Sequence, residues 1–298
     1  ARVYKGEKHW SDFLLPVERL IYKLAGVDPG QEMTWKQHLK ALLTINLVWF
    51  VYGFFVLIFQ GKLPLNPDGN AGMTPDLAFN TVISFVVNCN LQHYSGESGL
   101  TYLTQLVMVM FFQFVSAATG MAALAVLFKA LLGKTTTLLG NFWEYFVRSI
   151  TRILLPLSLV VAAILILHGS PMTFDGRSTV TTLEGTEQHI TQGPAAAVIA
   201  IKQLGTNGGG FFGVNSAHPL ENPDYFTNMV ETGCIILIPM ALVFALGFYL
   251  QKRRFAWTVF GVMTTGYVLF CIGTILAERA GNPAIAAMGI SQPMGSME

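Results

Sequence analysis

The sequence predicts an all-α polytopic membrane protein built from a repeated unit: long helix, short re-entrant helix, irregular polar loop, long helix. Three observations carry this reading. Of 298 residues, 52% are hydrophobic and only 12% charged, whereas soluble domains carry about 25% charged residues. Five apolar runs are long enough to cross a bilayer, which takes about 20 residues. Two further apolar stretches are too short to cross, and each is followed by a polar loop and then by another long run, so the order recurs.

The elements follow in chain order. Residues 1–40 read as a cytoplasmic N-terminal segment without a signal-peptide pattern. The first unit, 41–128, opens with the span ALLTINLVWFVYGFFVLIFQ at 41–60, between Lys40 and Lys62. Thr74, Pro75 and Asp76 form a start signal for a short helix over 75–87. The polar stretch from Asn88 to Glu97 and a second span over 100–128 complete the unit. A cytoplasmic loop, 129–146, leads to the second unit, 147–250. Its parts are a span at 147–168, an external loop at 169–193, a short helix at 194–204 after Gly193-Pro194, the stretch GTNGGGFF at 205–212, and a span at 228–250. Residues 251–298 open a third unit with a span at 255–277, and that unit reads as incomplete, the sequence as cut at both ends. At 11 to 14 residues the short helices fit re-entrant segments; for either one alone, an interfacial or packed external helix is the other reading.

Lysine and arginine set the orientation. With 1–40 inside, alternation puts 129–152 and 251–254 inside as well, and these three segments hold 14 of the 18 basic residues. The opposite side keeps Lys62, Arg177, Lys202 and Arg279 with 11 of the 17 acidic residues.

Irregular backbone at membrane depth is tolerated only where protein buries it or where it lines a watery cavity. A short helix entering from outside aims the negative end of its dipole at the bilayer centre. The strand climbing back out then presents carbonyls to a dehydrating cation. Candidate ion-binding residues are therefore Thr206, Asn207, Gly208, Gly209 and Gly210 in the second loop, and Asn88, Cys89, Asn90 and Gln92 in the first. Without Cβ atoms the three glycines can adopt strained dihedrals and turn carbonyls toward an axis. Asn88 or Asn90 holds its loop to the neighbours or caps it locally, Gln92 lines the mouth, and Cys89 is a tolerated small residue. Cys234 and Cys271 read as free thiols packed in helices, and His93 and His218 as satisfied loop histidines. Lys202, a charge within a short apolar helix, reads as paired with a structural carboxylate such as Glu231, since a bare ammonium beside a cation path would repel the ion. No HExxH, GxSxG or Walker sequence occurs, so neither catalysis nor a resident metal is expected in this chain.

LGTNGGGFFGVNSAHPLENP at 204–223, with HYSGE at 93–97, ERLIYKLAGVDPGQEMTWKQHLKA at 18–41 and GNPAIAAMGISQPMGSME at 281–298, resembles the A subunit of the bacterial Kdp potassium-transporting ATPase. The resemblance covers the whole chain, and the family is similar to potassium transporters with four membrane-pore-membrane units. It implies an extra N-terminal span, a completed third unit and a fourth. It also implies a multi-pass place in the bacterial inner membrane and three partners: a P-type B subunit carrying ATP and Mg2+, a single-span C subunit and a small F peptide. No nucleic-acid partner is expected. The function implied is selection of K+ from outside and its passage to the P-type subunit; a passive potassium channel or ion-coupled transporter of the same superfamily, without an ATPase partner, is the alternative. Where the family commonly reads TNTNWQ, this chain has Val87-Asn88-Cys89-Asn90-Leu91-Gln92, which removes two threonine hydroxyls and a tryptophan.

Overall fold

Helices dominate the computed structural model, which describes residues 1–133, 137–213 and 215–289. Lys134, counted above among the inward basic residues, Val214 in the long loop motif, and the end of the terminal stretch from 290 through Glu298 lie outside the described residues.

Five helices are long and apolar enough to cross a membrane, as expected for an all-α polytopic membrane protein. An amphipathic helix, α1 (Leu15–Ala25), precedes them. The first span, α2 (Trp35–Phe59), starts six residues before the apolar run, because Thr34 and Gln37 form a capping box. The Thr34 backbone N–H donates to Gln37 Oε1 at 2.7 Å. The short helix α3 (Pro75–Val86) begins at the proline of the start signal. The second span, α4 (Tyr102–Leu132), contains a π-helical stretch at Gln105–Met110. The third, α5 (Phe142–Leu167), contains another at Ile150–Leu154. Asn141 caps α5, its Oδ1 accepting from Trp143 N–H at 2.9 Å and Glu144 N–H at 3.2 Å.

Between α5 and the second short helix lies a two-stranded antiparallel hairpin, β1 (Ser178–Thr181) and β2 (Glu187–Ile190), with Ser178 opposite Ile190 and Thr181 opposite Glu187. It was not anticipated: its strands, STVT and EQHI, are four residues long and largely exposed, so no apolar alternation announces them. The helix α6 (Ala195–Leu204) is buried at nine of its ten positions. It packs against the second half of α5 and the π-helical part of α4, while α3 packs between α2 and α4.

The long helix α7 (Tyr225–Tyr249) is capped by Asp224, whose Oδ1 accepts from Thr227 N–H at 2.7 Å, and contains Pro239. One compact unit, 1–239, ends at that proline and a second starts at Met240. The second unit holds the end of α7 and the helix α8 (Arg253–Ala280), joined by a tight turn at Gln251. Phe244 meets Trp257 edge-on at 4.9 Å, and the Arg253 guanidinium sits over Phe248 at 5.0 Å.

Candidate functional site

The two short helices end in the same way. Two residues beyond the last residue of α3 and of α6 stand Asn88 (φ 62°) and Thr206 (φ 54°); four residues beyond stand Asn90 (φ 54°) and Gly208 (φ 100°). Left-handed backbone is uncommon for non-glycine residues, so its recurrence at equal spacing is a structural repeat that the side chains do not display. In each loop a backbone N–H folds back onto the helix: Cys89 N–H to Ser84 O at 2.9 Å, and Asn207 N–H to Lys202 O at 2.9 Å.

The loops abut. A Cβ placed on Gly209 would lie 2.1 Å from the Asn90 carbonyl oxygen, so no side chain fits there. Gly208 differs: its φ is left-handed, and a Cβ would meet nothing within 4 Å. It faces a cavity of about 330 Å³ lined also by Thr206, Asn207, Asn215, Ser216 and Glu231.

The carbonyls of the second loop are engaged by amides of the first half of the chain. Gly205 O accepts from Asn88 Nδ2 at 3.2 Å, Gly209 O from Gln113 Nε2 at 2.7 Å, Gly210 O from Gln92 Nε2 at 3.1 Å and Phe211 O from Gln105 Nε2 at 3.1 Å. Gly208 O accepts from the Asn215 backbone N–H at 3.1 Å. Gln92 closes a two-point brace, since its Oε1 accepts from Gly210 N–H at 2.9 Å. Asn88 Oδ1 accepts from Ser116 Oγ at 2.7 Å and from Asn207 Nδ2, which joins both loops to α4.

Each candidate residue thus has a place. Asn88, Asn207, Gln92, Gly209 and Gly210 form the seam between the loops. Thr206, Asn207 and Gly208 border the cavity. Asn90 is buried, with neither side-chain atom hydrogen-bonded among the described residues, and Cys89 is a free, exposed thiol. Sequence reasoning passed over Gln105, Gln113 and Ser116 on α4. The available signal was two glutamines and a serine in a largely apolar span.

Lys202 corrects one expectation. It is paired, but its ammonium meets the carboxylate of Glu221 and donates to Ser216 Oγ at 2.8 Å. Glu231 takes its hydrogen bond from the neighbouring side chain, Gln203 Nε2. Consecutive helical residues point about 100° apart, so Lys202 and Gln203 reach different carboxylates. His218 stacks on Phe212 at 3.9 Å, and its Nδ1 accepts from Leu220 N–H at 3.1 Å. Burial pushes its imidazole pKa down.

Fold and site together define a multi-pass membrane protein in which two short helices deliver paired, amide-braced loops, the second of which borders a cavity. The whole chain, residues 1–298, matches the profile of the family described as Potassium-transporting ATPase A subunit. It is 62% identical over 298 residues to the potassium-transporting ATPase potassium-binding subunit of Bacteroides thetaiotaomicron, covering 100% of this chain and 52% of that protein. To the protein of the same description from Flavobacterium johnsoniae it is 60% identical over 299 residues, covering 100% of this chain and 52% of the relative. To that from Sorangium cellulosum it is 46% identical over 308 residues, covering 100% and 53%. The chain belongs to the potassium-transporting ATPase A subunit family. It spans about half the length of the curated relatives it matches.

Proposed function

We propose that this chain supplies two ion-selecting loops of the potassium-binding subunit of an ATP-driven potassium uptake complex. The observation that carries the reading is the repeated left-handed backbone after α3 and α6, in two abutting loops of which the second borders a cavity at Gly208. A carbonyl oxygen has two lone pairs. An amide donor on one of them fixes the direction of the C=O group and leaves the other for a dehydrated cation. On this reading the ion-binding set is Asn88, Cys89, Asn90, Gln92, Thr206, Asn207, Gly208, Gly209 and Gly210, with the side chains bracing and the backbone ligating. The Lys202–Glu221 pair neutralises a cation buried next to the loops.

The units run 41–128 and 147–250, with α3 and α6 entering from outside, 1–40 and 129–146 in the cytoplasm and 251–298 opening a third unit. The membrane is the bacterial inner membrane. The partners are the P-type B subunit, which binds ATP and Mg2+, the single-span C subunit and the small F peptide. Relatives named as the potassium-binding subunit of such an ATPase support this over a passive or ion-coupled channel. The test is potassium-stimulated ATP hydrolysis by the full-length subunit reconstituted with those partners. Potassium should stimulate and sodium should not; a complex that hydrolyses ATP without regard to potassium overturns the proposal.

A further inference from the structure

Helix α1 takes no part in the loop assembly, and its surface is divided three ways. One face carries the buried Glu18 and Tyr22, and Glu18 locks it to α5. The Arg152 guanidinium donates from Nε to Glu18 Oε1 at 2.6 Å, from Nη2 to Glu18 Oε2 at 2.7 Å and from Nη1 to Asp12 Oδ1 at 2.7 Å. Thr151 Oγ1 adds a further bond to Glu18 at 2.8 Å. A bidentate guanidinium–carboxylate contact is geometrically demanding, and with a second carboxylate attached it prevents the helix from rolling about its axis.

The second face is apolar and exposed. Val17, Leu20, Ile21 and Leu24 lie there, Leu24 at 79% exposure, and Trp10 and Phe13 continue the stripe on the preceding turn, each 66% exposed. Their spacing of three and four residues puts them on one side of the helix. The third face carries Arg19 and Lys23, exposed and four residues apart, on the flank of the stripe away from the clamp.

A soluble surface rarely holds a rigid helix with its apolar stripe outward. An apolar stripe, a basic flank and a tryptophan at one end are the features of a helix lying in a membrane–water interface. Leu39, Leu43 and Leu47 at the start of α2 are exposed as well. We propose that α1 is a membrane-surface helix whose stripe enters the cytoplasmic leaflet and whose Arg19 and Lys23 bind the headgroups of anionic phospholipid. Lipid is the occupant chosen, because the flank is cationic and the helix precedes, by nine residues of chain, a helix long and apolar enough to cross the bilayer. The proposal goes beyond the ion-selecting reading and shares with it only the cytoplasmic placement of residues 1–40.

The test uses the full-length subunit assembled with its partners in vesicles of phosphatidylcholine and phosphatidylglycerol. Nitroxides are placed singly by Val17→Cys, Leu20→Cys, Leu24→Cys, Arg19→Cys and Lys23→Cys, with Cys89, Cys234 and Cys271 changed to serine. Positions 17, 20 and 24 should collide more with oxygen than with a water-soluble nickel chelate, and positions 19 and 23 should show the reverse order. Leaving out phosphatidylglycerol should reduce the oxygen contact at position 24. Stripe nitroxides open to the nickel chelate would mean water covers the face; stripe nitroxides immobilised and shielded from both reagents would mean another protein surface does. Either result overturns the proposal, and no response to phosphatidylglycerol removes the headgroup interaction.

Discussion

Gln113 offers the sharpest test of how the loops are held. Its side chain is fully buried, its Nε2 donates to Gly209 O at 2.7 Å, and its Oε1 has no partner among the described residues. Gln113→Leu keeps the approximate volume and removes the donor, leaving a buried carbonyl unpaired. Such a loss costs about 1–3 kcal/mol, and each 1.4 kcal/mol is tenfold in affinity. If the brace aims the carbonyl, that energy appears as lost ion binding rather than as lost protein. The potassium concentration giving half-maximal ATP hydrolysis by the full complex should rise by about fivefold to a hundredfold, and discrimination against rubidium should weaken. Gln113→Glu, which keeps the shape but in its ionised form has no donor, should behave at least as badly at a pH high enough to ionise it. The measurement is the potassium dependence of hydrolysis, with thermal unfolding in parallel to establish that each complex is folded. A folded Gln113→Leu complex with unchanged half-saturation and unchanged rubidium discrimination would refute the idea that the amides set carbonyl direction.

Gly208→Ser should raise the half-saturating potassium concentration by about ten- to a hundredfold in the same assay, because a left-handed non-glycine residue costs about 1–3 kcal/mol and its side chain would enter the cavity; a wild-type potassium response would remove this residue from the ion path. Lys202→Met should sharply lower the yield of folded complex by stranding Glu221, a loss of about 3–5 kcal/mol for a broken buried pair, and adding Glu221→Gln should recover much of it; no recovery would show that the pair is not the reason. Leu183, fully exposed at the tip of the hairpin, should react as Leu183→Cys with an impermeant maleimide from outside, and Lys36→Cys only after the membrane is opened; the opposite pattern inverts the topology. The Thr227 backbone N–H, and after it His168, hold the Asp224 carboxyl below its ordinary pKa. A lowered carboxylate pKa contributes stability that is present above the unfolded value and lost as pH falls through the folded one. Asp224→Asn should therefore lower thermal stability at neutral pH, change it little at acid pH and so flatten the acid limb of the profile; an acid limb of undiminished slope counts against the cap.

The helical skeleton was legible because its signals are local and repeated. The proline after Thr74 marks the start of α3, and Gly205 caps the end of α6. Hydrophobic runs located every span, but not the first turns of α2 and α5, which Thr34 and Asn141 cap and which stand outside the apolar runs. The glycines were legible as a feature needing bare backbone, yet the reasons split by position. Gly208 answers to a dihedral, and Gly209 to the nearness of Asn90. The amide lattice was not legible, because Gln105 and Gln113 gain their meaning from loops about a hundred residues away in the chain. Lys202 illustrates the same limit: pairing follows from the cost of a buried charge, whereas the choice of Glu221 over Glu231 depends on which way each helix face points.

The contact between Gly209 and the Asn90 carbonyl has a consequence for how such loops can be exchanged. With a prospective Cβ only 2.1 Å from that oxygen, the backbone path of one loop is a wall of the other. A loop transplanted singly from a relative meets a host loop shaped for a different neighbour. A departure such as Cys89 or Leu91 is then an edit to both surfaces at once. Grafting 88–92 together with 205–212 carries both sides of the wall, so the heritable unit of ion preference here is the pair of loops.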